Sequence, residues 1–88
     1  MSKSRWAAKV DANQPGIVKA LRKIPGVMVE VGMDDILVGY KYRTFWYEIK
    51  ASEKAAIKPH QKELREMWPG HYKIVWTLEM ILDDMGIN

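Results

Sequence analysis

Eighty-eight residues, 48% of them hydrophobic, are enough for one small domain with one core, and a chain of this size buries only roughly 60 to 65% of its unfolded surface, so a partner subunit would add stability. Cysteine is absent, which excludes disulfide staples and thiolate metal sites and favours a reducing cytosol. The net charge of +3, fourteen Lys and Arg against eleven Asp and Glu, is a mild bias compatible with a polyanion partner, while the apolar runs fall far short of the roughly 20 residues of a membrane helix and no signal-peptide core is present, so a soluble cytoplasmic chain is expected.

Residues 1–9 read as a basic N-terminal arm carrying Lys3, Arg5 and Lys9, and residues 10–88 as a single domain. Asp11 to Ile24 is expected to be helical: Asp11 with Gln14 makes a capping box, Ile17, Ala20, Leu21 and Ile24 form an apolar stripe, and Pro25-Gly26 stops it. Val27 to Val31 alternates and reads as a first strand with one apolar face, leaving Glu30 exposed on the other. Ile36 to Val38 is an apolar run too short for a helix, and Thr44 to Ile49 is rich in aromatic and β-branched residues; the two form a hairpin with Lys41 and Arg43 at its tip. Ala51 to Ile57 is a connection, and Pro59 starts a second helix that runs to about Trp68 before Pro69-Gly70. His71 to Trp76 is a fourth, largely apolar strand, expected to run parallel to a neighbour because a helical crossover precedes it. Thr77 caps a last helix whose Leu78, Ile81, Leu82 and Met85 share a face before Gly86. The order is αβββαβα, an α/β fold with a mixed four-stranded sheet flanked by helices.

The hairpin brings Asp35 toward Glu48, and alternation along a strand puts Glu48 and Lys50 on one face with Ile49 on the other. Two carboxylates so placed can hold Mg²⁺ or Mn²⁺ with the backbone carbonyl of Ile49 as a further oxygen ligand, and a lysine beside the ion can orient an attacking water or stabilise developing charge, which is the requirement for cutting a phosphodiester. A bare Glu-x-Lys is common by chance and, taken alone, reads first as a solvated cross-strand ion pair. Gln61 stands on the stripe Ile57, Gln61, Leu64 and Trp68, where a polar amide needs a partner: the backbone of the sheet, or a metal-bound water or phosphate. Asn13 and Gln14 pose the same question at the first helix, with capping preferred.

The run Gly32, Asp35, Leu37 to Tyr40, Glu48 and Lys50, with Gln61 on the following helix, resembles the PD-(D/E)xK nuclease superfamily, and within it the small VRR-NUC type of phage and bacterial proteins related to Holliday junction resolvases. The likeness covers roughly residues 10 to 85. It implies a restriction-endonuclease-like core and a metal-dependent endonuclease acting on DNA, with Asp35, Glu48, Lys50 and Gln61 as catalytic residues and Asp35, Glu48 and the Ile49 carbonyl as metal ligands. The proline usual before the first aspartate is replaced by Asp34, so two aspartates compete for the metal; alternation admits one, and Asp35 fits the family register. The first-helix acid that completes the metal site in many relatives corresponds only to Asp11. Lys9, Lys41, Arg43, Lys54 and Lys58 are the expected DNA contacts.

With no separate recognition domain, backbone and shape readout of branched DNA is favoured, and paired cuts in a four-way junction call for a C2 homodimer. Two rivals stand beside this reading: a catalytically inactive nucleic-acid-binding module of the same fold, or a structural protein whose sheet serves dimerisation; a flap or nonspecific nuclease is the enzymatic alternative. His60 and His71 lack companion ligands, and Trp6, Trp46, Trp68 and Trp76 are read as core or interface before base stacking.

Overall fold

A computed structural model of the chain describes residues 14–87, so Lys9, Asp11, Asn13 and Trp6 lie outside the described residues. Helix α1, Gln14–Arg22, buries Ile17, Val18 and Leu21, the i, i+1, i+4 ridge of an amphipathic helix, while Ala20 and Ile24 are only partly covered. Strand β1, Met28–Val31, follows; Val29 is buried, Met28 and Glu30 point to the other face, and Val31, expected in the core, is 48% exposed at the sheet edge. The Arg22 guanidinium donates to the Val29 carbonyl at 2.9 Å and ties α1 to this strand.

Strands β2, Asp35–Tyr40, and β3, Arg43–Ile49, form an antiparallel hairpin joined by Lys41 and Tyr42 alone. Both linking residues have positive φ, 52° and 63°, the backbone of a two-residue turn whose twist matches that of the strands. Helix α2, Pro59–Met67, leads to the short strand β4, Lys73–Val75, and helix α3, Leu78–Met85, closes the described chain. Thr77 Oγ1 accepts from the Met80 N–H at 3.2 Å, and Gly86 takes the left-handed cap with φ 82°, as the sequence signals require.

The sheet order is β1-β2-β3-β4, with β1, β2 and β3 antiparallel and β4 parallel to β3, so the chain is a small α/β domain with a mixed, open four-stranded sheet and three helices among the described residues. One sheet face carries Val29, Ile36, Val38, Phe45, Tyr47, Ile49 and Val75 and packs with Ile17, Val18 and Leu21 of α1 and Ile81 and Met85 of α3 into one core. The opposite face carries Glu30, Asp35, Leu37, Trp46 and Glu48, since cross-strand partners share a face. Among the described residues no helix is long and apolar enough to cross a membrane.

Candidate functional site

The start of β2 and the end of β3 are directly opposed: Asp35 pairs with Glu48, and Glu48 with Ile74 of β4. Asp35 is held from two sides. The Trp46 indole N–H donates to its Oδ2 at 2.9 Å, and the Gly32 N–H donates to its carbonyl at 2.8 Å. A Cβ on Gly32 would overlap the Asp35 carboxylate, so glycine is the residue that lets the chain bend this closely around it.

Glu48 is 5% exposed although it is an acid. The Tyr72 hydroxyl lies 3.5 Å from Oε1, at the outer limit of a hydrogen bond, and Oε2 is buried with no donor among the described residues. Burial is the main cause that pushes the Glu48 carboxyl up to about 7; the Asp34 carboxylate adds repulsion, Lys50 opposes it, and Asp35 adds a smaller repulsion. Burial, followed by the Glu48 charge, likewise raises the Tyr72 phenol.

Strand alternation does not extend to Asp34, because β2 begins at Asp35. Asp34 lies in the bend before β2 and escapes the pleat, so its carboxylate acts on Glu48 alongside that of Asp35. Its carbonyl accepts from the Ile49 N–H at 3.1 Å. The Ile49 carbonyl points to the same side of β3 as its N–H, toward the Asp34–Asp35 segment, while its side chain is buried in the core. Lys50 donates its backbone N–H to Val75 at 2.8 Å and lies within electrostatic reach of Glu48.

Gln61 is buried at 7%, but its side chain serves its own helix: Oε1 accepts from the Lys58 N–H at 3.0 Å at the start of α2. The cap is one-sided, because a lysine at the N-cap cannot accept in return. The amide nitrogen of Gln61 takes no part in this cap. Of the expected DNA contacts, Lys54 and Lys58 are exposed in and after the connection that follows Glu48, whereas Lys41 and Arg43 are exposed at the opposite end of the hairpin. Lys41 stands over the Tyr40 ring at 5.2 Å and Arg43 over Phe45 at 4.7 Å.

A second polar cluster was not foreseen. Asp84 of α3 accepts from the Tyr47 hydroxyl and pairs with His71 Nε2, each at 2.6 Å, and Lys73 lies 3.5 Å away. Burial alone would raise the Asp84 carboxyl, yet the hydrogen bonds from Tyr47 and His71 hold it below the usual aspartate value. His71 Nδ1 accepts from the Trp46 N–H at 3.1 Å, so Nε2 carries the proton in the neutral ring and the imidazole continues the edge of β3 just before β4 begins. One clue was available in the sequence: Tyr47 alternates onto the core face, and a buried hydroxyl needs a partner.

The carboxylates suit a hard divalent ion. An orphaned, buried carboxylate oxygen with like charges beside it is relieved by a cation, and Mg²⁺ commonly binds through one or two carboxylates, keeping waters and phosphate oxygens as its other ligands. Among the described residues no three His, Asp or Glu side chains close on a common point, so the fit is to an open two-carboxylate site with the Ile49 carbonyl at hand, not to an enclosed cage. Comparison with protein-family models, with curated proteins and with solved structures finds no match to this chain.

Proposed function

We propose that this chain is a metal-dependent endodeoxyribonuclease with a restriction-endonuclease-like αβββαβα core, selective for branched DNA in the manner of a Holliday junction resolvase. The observation that carries the reading is the cross-strand pair of Asp35 and Glu48, with Asp34 and Lys50 beside it and a buried Glu48 oxygen that no donor among the described residues satisfies.

In the proposed reaction a water gives up a proton to solvent as its oxygen bonds to phosphorus, the P–O ester bond breaks, and the leaving alkoxide takes up a proton from solvent. A bound Mg²⁺ or Mn²⁺ would supply charge neutralisation and a more acidic water. Glu48 and Asp35 would hold the ion, Trp46 fixes the orientation of Asp35, and the Ile49 carbonyl offers an uncharged oxygen. The Lys50 ammonium would stabilise charge on the non-bridging phosphate oxygens. Gln61 supports the site by fixing the start of α2, with its amide nitrogen as a further donor. Cutting both strands of a junction symmetrically calls for a C2 homodimer, which sedimentation at micromolar concentration would register as twice the monomer mass.

Incubation with linear, flap, splayed and four-way DNA in Mg²⁺ or Mn²⁺ tests the reading. Cleavage that disappears with chelator and with Glu48→Gln supports it; no cleavage of any substrate with either metal overturns it. The sequence motivates a second reading, a nucleic-acid-binding module of the same fold without catalysis, because the first-helix acid usual in the family corresponds only to Asp11. DNA binding without a Glu48-dependent Mn²⁺ signal in calorimetry would select it.

A further inference from the structure

The parallel pairing of β3 with β4 begins on a side chain. At its far end the Lys50 N–H donates to the Val75 carbonyl at 2.8 Å. Alternate residues of a strand turn their N–H groups to the same side, so the Trp46 N–H, four residues back, also faces β4. Four residues back from Val75 stands His71, and there the imidazole accepts in place of a carbonyl, Nδ1 taking the Trp46 N–H at 3.1 Å. Strand β4 is only three residues long, so this rung adds substantially to its hold on β3.

A main-chain carbonyl accepts at any pH, and an imidazole does not. Nε2 of His71 donates to Asp84 Oδ2 at 2.6 Å, which leaves Nδ1 as the acceptor of the neutral ring. A second proton would sit on Nδ1 and face the Trp46 N–H, donor against donor. Turning the ring over brings no relief, because both nitrogens of an imidazolium carry protons. Phe45 and Tyr47 each stand 5.1 Å from the ring, at 81° and 80°, and hold it in place.

The charges around the ring pull in both directions. From α3 the Asp84 carboxylate favours a positive ring. From β4, Lys73 stands 3.5 Å from the other Asp84 oxygen, and from β3, Arg43 lies 4.7 Å over the Phe45 ring that touches His71; both oppose added positive charge. Tyr47 donates to Asp84, and burial together with that carboxylate keeps it a neutral phenol. Trp46 carries the consequence further, since its indole N–H holds Asp35 Oδ2 at 2.9 Å. One residue joins the His71 ring to the Asp35 carboxylate.

We propose that His71 is a proton-operated latch on Trp46. The neutral ring closes the first rung between β3 and β4 and fixes the residue that orients Asp35; the imidazolium opens the rung and loosens that hold. Histidine suits the task because imidazoles gain and lose a proton between pH 5 and 8. The latch itself is independent of the nuclease reading, and only its effect on cleavage rests on that reading.

Amide exchange and ¹H–¹⁵N NMR of the full chain from pH 8 to pH 5, without metal, test this. The Trp46 amide should lose protection by about two-fold to ten-fold, the equivalent of one net hydrogen bond, and its shift should follow the His71 ring nitrogens with one midpoint. His60, exposed beside Glu63, gives a separate histidine signal that Trp46 should not follow. Glu48 ionises at about pH 7, so the scan is repeated in Glu48→Gln, where the Trp46 response should persist. His71→Asn sets an amide oxygen in the place of Nδ1 and has no proton to gain, so the rung should stay closed and the response vanish. A His71 ring that stays neutral to pH 5 overturns the proposal, as does a Trp46 amide that keeps its protection while His71 ionises. So does a Trp46 response that survives in folded His71→Asn. A working latch in a protein that cuts nothing upholds this inference and overturns the nuclease reading alone, whereas cleavage without a Trp46 response removes only the latch.

Discussion

Replacing Glu48 by Gln should stabilise the fold while removing its proposed activity. The Glu48 carboxyl stands at about 7 against an ordinary 4.5, chiefly through burial and then through Asp34. An acid whose folded pKa lies above its unfolded value binds its proton more tightly when folded. Its contribution to stability is therefore complete below about pH 4.5 and is lost as pH rises through about 7. The difference corresponds to about 3 kcal/mol between the protonated and ionised forms. Glutamine has the shape of the protonated form at every pH. At pH 8 the variant should gain up to that amount, on the order of 10 °C in melting temperature for a domain of this length, and at pH 4 the gain should vanish. Added Mn²⁺ should stabilise the parent by about 2.7 kcal/mol at a hundred times the dissociation constant, raising its melting temperature, and leave the variant nearly unchanged. Calorimetric scans at the two pH values with and without Mn²⁺ measure all four quantities. A variant that is less stable than the parent at pH 8, or a gain of equal size at pH 4, refutes the claim that Glu48 is held ionised against its surroundings.

Lys50→Ala should lose most cleavage and keep the Mn²⁺-induced rise in melting temperature, because the lysine acts on the phosphate and not on the ion; near-normal turnover in an endpoint assay would remove it from the mechanism. Gly32→Ala should displace the Asp35 carboxylate that a Cβ would overlap, lowering cleavage at saturating Mg²⁺ far more than it lowers the melting temperature; unchanged turnover would show that Asp35 is not needed in its observed place. Asp34→Asn and Asp35→Asn can be compared in the same assay: Asp35→Asn should be inactive, and Asp34→Asn should keep activity while lowering the pH at which Glu48 ionises, since it removes the repulsion next after burial. Tyr47→Phe should cost about 1 to 3 kcal/mol by chemical denaturation, the value of a hydrogen bond to a partly buried charge, with no loss of cleavage.

The fold was legible where local chemistry and burial agree. Thr77 and Gly86 bracket α3 as their types demand, Pro59 opens α2, and the β2–β3 register follows from a two-residue turn between runs that alternate onto one core face. Two kinds of information were missing. Val31 has the pattern of a core residue and lies at an edge, because alternation states which face a side chain takes and not how far the covering helix reaches. Tyr47, His71 and Asp84 meet from three elements, and sequence distance carries no trace of such a contact. At the site itself, the opposition of Asp35 and Glu48 could be read from the hairpin, whereas the reach of Asp34 could not, since a bend sets a side chain free of the strand period.

Between its two ends the hairpin obeys every rule of a stable sheet: Ile36, Val38, Phe45 and Tyr47 alternate inward and are buried within one core. At the ends it breaks them. One end buries an acid among acids with no donor to Oε2 among the described residues, and the other forces lysine and tyrosine into a backbone suited to Asn-Gly. A sequence shaped by folding alone would relieve both with single, isosteric or smaller replacements, and neither replacement would disturb the core between them. Local rules fail where a residue serves something other than the fold. Here the failures stand about 17 Å apart on one hairpin, the acid on the face opposite the core and the tip with Lys41 over Tyr40 and Arg43 over Phe45, so each is to be explained on its own.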